Sequence, residues 1–219
     1  MRVATFNVHH CEGRDGVTDP NRIAAVMRAT GADVIALQEL DLGMSRSGGS
    51  NQPAQLASYT GMTIEFHSLF ERDGGRYGIG IAVPAAAGST MLALPRLARE
   101  EPRGAVVARW DGVTFIATHL SRSVRARALQ TRALATLAAR VDPPVVLLGD
   151  LNQRASHLGP LREVGLRQAR EGWLQAPLAR FRRIDHILAG PGLRLSRSRA
   201  IRTDASDHPA VVAEIERSR

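Results

Sequence analysis

The chain has 219 residues, enough for a sizeable hydrophobic core, and 44% of them are hydrophobic, which excludes a disordered polypeptide. Its formal net charge is +8 and all 29 basic residues are arginine, as a GC-rich genome would give or as an anionic partner gripped by guanidinium forks would select. No apolar run reaches the length of a membrane span, Cys11 has no partner for an internal disulfide, and the opening MRVATFNV reads as a strand and not a leader, so we expect a cytoplasmic protein without stable membrane insertion.

RVATFN alternates into a first strand. TDPNRIAAVMRATG then carries every mark of a helix: Asp19 to cap it, Pro20 in its first turn, apolar spacing from Ile23 to Met27 and Gly31 beyond its end. DVIALQE is a buried strand that runs into polar residues, and a short helix is expected from Gln52 to Thr60, stopped by Gly61. The middle reads as β: MTIEFHSLF, YGIGIAVP, STMLALP, GAVVARW and VTFIATHL, with Asp111-Gly112 as a hairpin turn between the last two. A long helix spans about Val124 to Arg140, followed by the strand PPVVLLGD, a short helix near His157 to Val164, and three late strands, RIDHIL, LRLSRSRAI and AVVAEI. No internal repeat or long linker interrupts this, so residues 1–219 are expected to form one domain with two packed sheets and helices outside them.

GDLN, at residues 149–152, is odd, because a buried apolar strand delivers a carboxylate and then an amide two positions later, on the same side of the chain. A helix cap would explain that pair taken alone. The feature recurs, however: Asn7 closes the first strand, Glu39 the second and His119 closes VTFIATH. Asp185 and His186 interrupt RIDHIL, and Asp207 and His208 precede the last strand. Gathering so many buried ionisable groups costs several kcal/mol each unless a cation or ligand compensates. Oxygen donors with few sulfur ligands favour Mg²⁺ or Mn²⁺, and imidazoles beside carboxylates supply acid–base groups.

TFNVHH, VIALQE, EPRGAVV, ATHL, LLGDLN, RIDHIL and SDHPAVV, in that order, resemble the endonuclease/exonuclease/phosphatase superfamily from Thr5 to Val212. The resemblance implies an α/β fold of four layers, a DNase I-like sandwich whose two central, mostly antiparallel sheets are flanked by helices. It implies in-line hydrolysis of a phosphate ester with Mg²⁺ or Mn²⁺. Carried over residue by residue, it makes Glu39 the principal metal ligand, with Asn7 beside it and Asp207 as a second metal-site carboxylate. Asp150 and Asn152 become the pair that positions or deprotonates water, His208 a phosphate-contacting or basic imidazole oriented by Asp185, and His119 a phosphate contact. Tyr77 and Arg103 match more loosely, as groups that stabilise charge on the phosphate; their alternative is a half-buried strand Tyr and a surface Arg.

The chain departs from the pattern of the family it resembles in three places. Ile79 stands where many members carry Asn, and the segment EGWLQAPLARF is short. His9 replaces an acid found in abasic-site nucleases, which counts against a DNA-repair role; with His10 and Glu12 it reads as a surface turn. Arginines cluster after His119 (Arg122, Arg125, Arg127), before Asp185 (Arg180, Arg182, Arg183) and on a late strand (Arg194, Arg197, Arg199, Arg202). The first two groups favour a nucleic acid over an isolated monoester as the phosphate-ester partner, and the third reads as a charged edge against aggregation. The alternatives are a lipid or inositol phosphate as substrate, and a non-catalytic phosphate-binding module. A monomer is expected.

Overall fold

The computed structural model describes residues 1–168, 184–196 and 198–218. Arg180, Arg182, Arg183, Arg197 and the EGWLQAPLARF segment lie outside the described residues.

Two sheets face each other. One runs, edge to edge, Leu193–Leu195 (β11), Ala210–Arg217 (β13), Arg2–Asn7 (β1), Val34–Leu42 (β2), Gly75–Val83 (β4) and Thr63–Arg72 (β3), with Arg199–Ile201 (β12) also on β13. The other runs Ser89–Ala93 (β5), Gly104–Trp110 (β6), Val113–His119 (β7), Val145–Asp150 (β8), Asp185–Ala189 (β10) and Arg167–Gln168 (β9). Among the described strands only β1–β2 and β7–β8 pair in parallel. Each parallel pair needs a crossover, and each crossover carries a helix: Pro20–Thr30 (α1) and Val124–Ala138 (α3). Gln52–Thr60 (α2) and Gly159–Glu163 (α4) complete the outer layers.

The helix ends follow the sequence closely. Asp19 accepts a hydrogen bond from the Asn21 amide at 2.8 Å and Asn51 one from Ala54 at 3.1 Å; Gly31 and Gly61 close α1 and α2 in left-handed conformation. Asp111 and Gly112, at φ 47° and 70°, form the tight turn between β6 and β7. Two expectations need correction. LRLSRSRAI is two short strands, β11 and β12, and a two-residue β9 appears where the sequence has no strand signature.

The four layers follow from strand alternation. Val3, Val34, Ile79, Ile81, Phe115 and Leu148 meet between the sheets. Phe6, Ile35 and Leu37 turn outward onto Ile23 and Met27 of α1. On the opposite face, Ile116, Leu147 and Leu188 meet Leu134 of α3 and Leu161 of α4. Burying each such side chain contributes about 1.5–3 kcal/mol, so three clusters fix the strand faces firmly. A one-residue slip would reverse them.

Candidate active site

That alternation also builds the site. Val3, Val34, Phe115, Ala117, Val146, Leu148, Ile187 and Ala189 lie on the inner faces. Period two then places Asn7, His119, Asp150 and Asp185 on the same faces at the strand ends. His119 pairs with Asp150 and Asp150 with Asp185 in the β7–β8–β10 ladder. Asn7 closes the gap between sheets by donating from Nδ2 to Asp150 Oδ2 at 3.2 Å. The apolar interior thus ends in a polar floor.

Glu39 requires an additional device. Plain alternation would send it to the outer face with Leu37. The β2–β4 register slips between Leu37 and Leu40, so that Leu37 faces Gly80 and Leu40 faces Gly78, one residue out of step. Glu39 sits in this bulge with φ 63°, left-handed backbone that a non-glycine residue adopts at a cost. Its Oε1 accepts from Asn7 Nδ2 at 2.8 Å and lies 4.0 Å from His119 Nε2. Gly149 sets the opposite wall, because a Cβ there would come within 2.1 Å of the Thr118 carbonyl oxygen. Only glycine lets β8 lie this close to β7 just before Asp150.

Asp150 is the hub. Its Oδ1 accepts the Asn152 amide at 2.8 Å, while Oδ2 lies 3.5 Å from His119 Nε2 and 3.8 Å from His208 Nε2. Asn152, at φ 50°, turns its own side chain back to donate to the Leu120 carbonyl at 2.9 Å and to meet His119 Nε2 at 3.2 Å. Burial pushes the Asp150 carboxyl up to about 7, reinforced by the charge of Asp185 and opposed by His208. His208 Nδ1 meets Asp185 Oδ2 at 2.9 Å. Burial disfavours its charged ring, yet the hydrogen bond and charge of Asp185, together with Asp150 and Asp207, outweigh this and raise it to about 9. His119, fully enclosed and near Arg103, is held well below the usual imidazole range by desolvation, so its ring is neutral.

Tyr77 and Arg103 are only 5% and 6% exposed, so the surface-Arg alternative is wrong. Arg103 Nη2 pairs with Glu101 at 3.1 Å, while its Nε and Nη1 are buried without a hydrogen-bond partner among the described residues. Buried donors left so cost about 1–3 kcal/mol until a further group accepts them. Tyr77 stacks on Phe70 with ring centroids 4.9 Å apart, under the Arg46 guanidinium carbon 5.4 Å from its ring centroid. Asp207 is set apart: its carboxylate is 55% exposed, 3.5 Å from Ser206 Oγ and 4.0 Å from His9 Nδ1.

Two supports of the site have no counterpart among the residues singled out by sequence. Ser206 Oγ donates to the Asn7 carbonyl at 2.8 Å and accepts the His208 amide at 3.1 Å, fixing the SDH loop to β1; a serine two residues before a histidine is a readable turn signal. Arg46, over the Tyr77 ring, grips the fully buried Asp41 through two bonds of 2.8 Å. His186, by contrast, points to the outer face, where Nε2 meets the Gln153 carbonyl at 2.7 Å, a structural contact.

The donor set suits a divalent cation: Glu39, Asp150 and Asp185 crowd negative charge into a buried floor, and Asp150, Asp185 and His208 have ligand atoms within 4.8 Å of one another. His208 Nδ1 is already bonded to Asp185, which leaves the Glu39 and Asp150 carboxylates, bridged by the Asn7 amide, as the better cradle.

Known proteins share this architecture. The model of the Endonuclease/Exonuclease/phosphatase family matches residues 4–208. The fold resembles an endonuclease/exonuclease/phosphatase from Beutenbergia cavernae (TM-score 0.79, 23% identity, covering 99% of this chain and 71% of that one). It also resembles the mannosyl-6-phosphatase Bt3783 of Bacteroides thetaiotaomicron (0.74, 16%, 99% of each chain). A 3'-5' exonuclease from Neisseria meningitidis superposes with TM-score 0.67 at 20% identity, covering 99% of this chain and 100% of that one. No curated protein matches significantly. The chain belongs to the endonuclease/exonuclease/phosphatase family and is a metal-dependent phosphoric ester hydrolase.

Proposed function

We propose that residues 1–219 act as one catalytic domain, a monomeric cytoplasmic phosphodiesterase with Mg²⁺ or Mn²⁺ as cofactor and nucleic acid as its substrate class. The observation that carries this reading is the convergence of four strand ends, the β2 bulge and the loop before β13 on one buried floor, with Arg103 donors that have no partner among the described residues. Glu39 and Asn7 would hold the cation, beside the Asp150 carboxylate that the Asn7 amide already meets. When bound, the cation draws charge from the phosphoryl oxygens and stabilises the leaving oxygen.

The chain's own groups do the rest. Asp150, a carboxylate poised at about 7, takes a proton from water as the water oxygen bonds to phosphorus. The ester P–O bond breaks in line, and the leaving oxygen departs as an alkoxide that takes its proton from solvent, while the proton held by Asp150 is released to water after product leaves. His208, charged near neutral pH, lays N–H density on the phosphate and is oriented by Asp185. Neutral His119 and Asn152 contact the same phosphate, and Arg103 with Tyr77 offsets charge developing on its oxygens. Asp207 is too exposed to share the Glu39 cradle as it stands, so its part in metal binding is secondary.

Support for nucleic acid comes from the rim. Arg122 and Arg125 are exposed beyond β7, and Arg127 lies within electrostatic reach of Asp150. A chain of phosphates would engage them together, whereas an isolated monoester would not. The test is hydrolysis with Mg²⁺ of a single-stranded oligonucleotide against an inositol phosphate and sphingomyelin vesicles. Cleavage of the oligonucleotide in preference to both supports the reading. Faster turnover of either alternative replaces it with the lipid or inositol phosphate assignment.

A further inference from the structure

The turn that follows β1 does more than link it to α1. We propose that His9, His10 and Glu12 form a second cation site, selective for a transition metal of the Zn²⁺ class, beside the oxygen-rich hydrolytic site. One ring nitrogen from each histidine and a carboxylate oxygen of Glu12 lie within 4.8 Å of one another. His10 Nε2 is 3.6 Å from Glu12 Oε2, and the two rings pack with centroids 4.3 Å apart. His9 Nδ1 meets the Glu12 carbonyl oxygen at 3.2 Å, which fixes the ring, and Asp207 Oδ1 lies 4.0 Å from the same nitrogen. Two imidazoles with one or two carboxylates suit Zn²⁺, Co²⁺ or Mn²⁺ far better than Mg²⁺, which prefers oxygen and keeps its waters.

This is not the surface turn its composition suggests. His10 is 8% exposed, and the nitrogen it turns toward Glu12 is Nε2. His9, His10 and Cys11 also occupy left-handed backbone in succession, at φ 47°, 42° and 61°. Three consecutive non-glycine residues in that region cost on the order of 1–3 kcal/mol each. The conformation is held by the Cys11 amide to Val8 oxygen and the Glu12 amide to His9 oxygen, each 2.8 Å, and by the Gln52 amide on the His10 carbonyl. It brings two adjacent rings and a nearby acid to one point.

The site is linked to catalysis through the backbone. The His9 amide donates to Asn7 Oδ1 at 3.1 Å, so a cation that stiffens the turn also fixes the Asn7 side chain. The second site draws on different ligands from the first, so it stands whether or not the phosphodiesterase reading holds.

The test is Zn²⁺ competition against a chromophoric chelator in millimolar Mg²⁺, with Co²⁺ absorption as a second readout. One Zn²⁺ is expected to bind wild-type protein and to persist in a Glu39→Gln, Asp150→Asn double variant. Glu12→Gln, at a partly exposed position, and His9→Ala should each weaken it at least tenfold, roughly the scale of removing a metal-site partner. The visible Co²⁺ band should fade with them. Absence of Zn²⁺ binding overturns the proposal. So does binding that survives Glu12→Gln and His9→Ala but falls in the Glu39/Asp150 variant, which would assign the ion to the hydrolytic floor.

Discussion

Asp185→Asn isolates the electrostatics of the floor, because Asp185 acts on two groups. His208 rises from an ordinary 6.5 to about 9, mostly through its bond to this carboxylate, and its side chain is only 16% exposed. A change of that size corresponds to roughly 3 kcal/mol favouring the charged ring in the folded state. The folded value lies above the unfolded one. The stabilisation is therefore complete below about pH 6.5 and is lost as pH rises through about 9. In the variant, burial still opposes the charged ring while its main partner is gone, so the titration midpoint should fall from about 9 to the ordinary imidazole range or below. Asp150 should move the same way, below its value of about 7, because the repelling charge of Asp185 has gone as well. Heteronuclear NMR titration of the metal-stripped protein reads both groups. Denaturant unfolding should show a wild-type advantage of about 3 kcal/mol near pH 6. That advantage should shrink to nothing or reverse above pH 9, where Asp150 is ionised beside Asp185. An unmoved His208 midpoint in Asp185→Asn would refute the orienting role.

Other outcomes follow from the same geometry. Asp150→Asn and His208→Ala should each lower kcat at least about 10²-fold while circular dichroism is unchanged. Adding Asp185→Asn to His208→Ala should cost little more, since Asp185 works through that ring; kinetics of the double variant check this. Glu39→Gln should keep the fold and raise the Mg²⁺ concentration needed for half-maximal activity, measured by metal titration. Arg122→Ala with Arg125→Ala should flatten the log–log salt dependence of single-strand binding by about one unit, near −0.7 for each phosphate no longer neutralised, with turnover of a small diester unchanged. A double variant with an unaltered slope would make the rim a solvated surface.

Much of this was legible in the sequence. The bounds of α2 and the capping of α1 were readable because proline, Asx caps and terminal glycines act locally. Asn7, His119 and Asp150 were visible as polar endings of apolar strands and Asp185 as an interruption of one, since period two is written residue by residue. Their convergence could be inferred only from the cost of burying so many ionisable groups and from the family resemblance, because the packing of two sheets is a long-range fact. Glu39 shows the limit most clearly: nothing in VIALQEL marks a bulge, and without it the carboxylate would face α1. Arg103 reads in the sequence as a softer match with a surface alternative because arginine is mostly exposed, yet the close packing of β6 under the site encloses it. The His9–Cys11 turn misleads for a related reason, since three left-handed residues without glycine contradict local propensity and are imposed by their surroundings. The short β9 depends wholly on pairing with β10.

The most direct measurement strips the protein of metal and follows phosphodiester hydrolysis of a single-stranded oligonucleotide, for wild type and Asp150→Asn. No cleavage is expected in excess chelator. Mg²⁺ or Mn²⁺ should restore wild-type activity, with at most about one-hundredth of that rate for Asp150→Asn. Full activity in chelator, or an Asp150→Asn enzyme as fast as wild type once metal is restored, would contradict a metal-dependent hydrolysis that turns on this carboxylate.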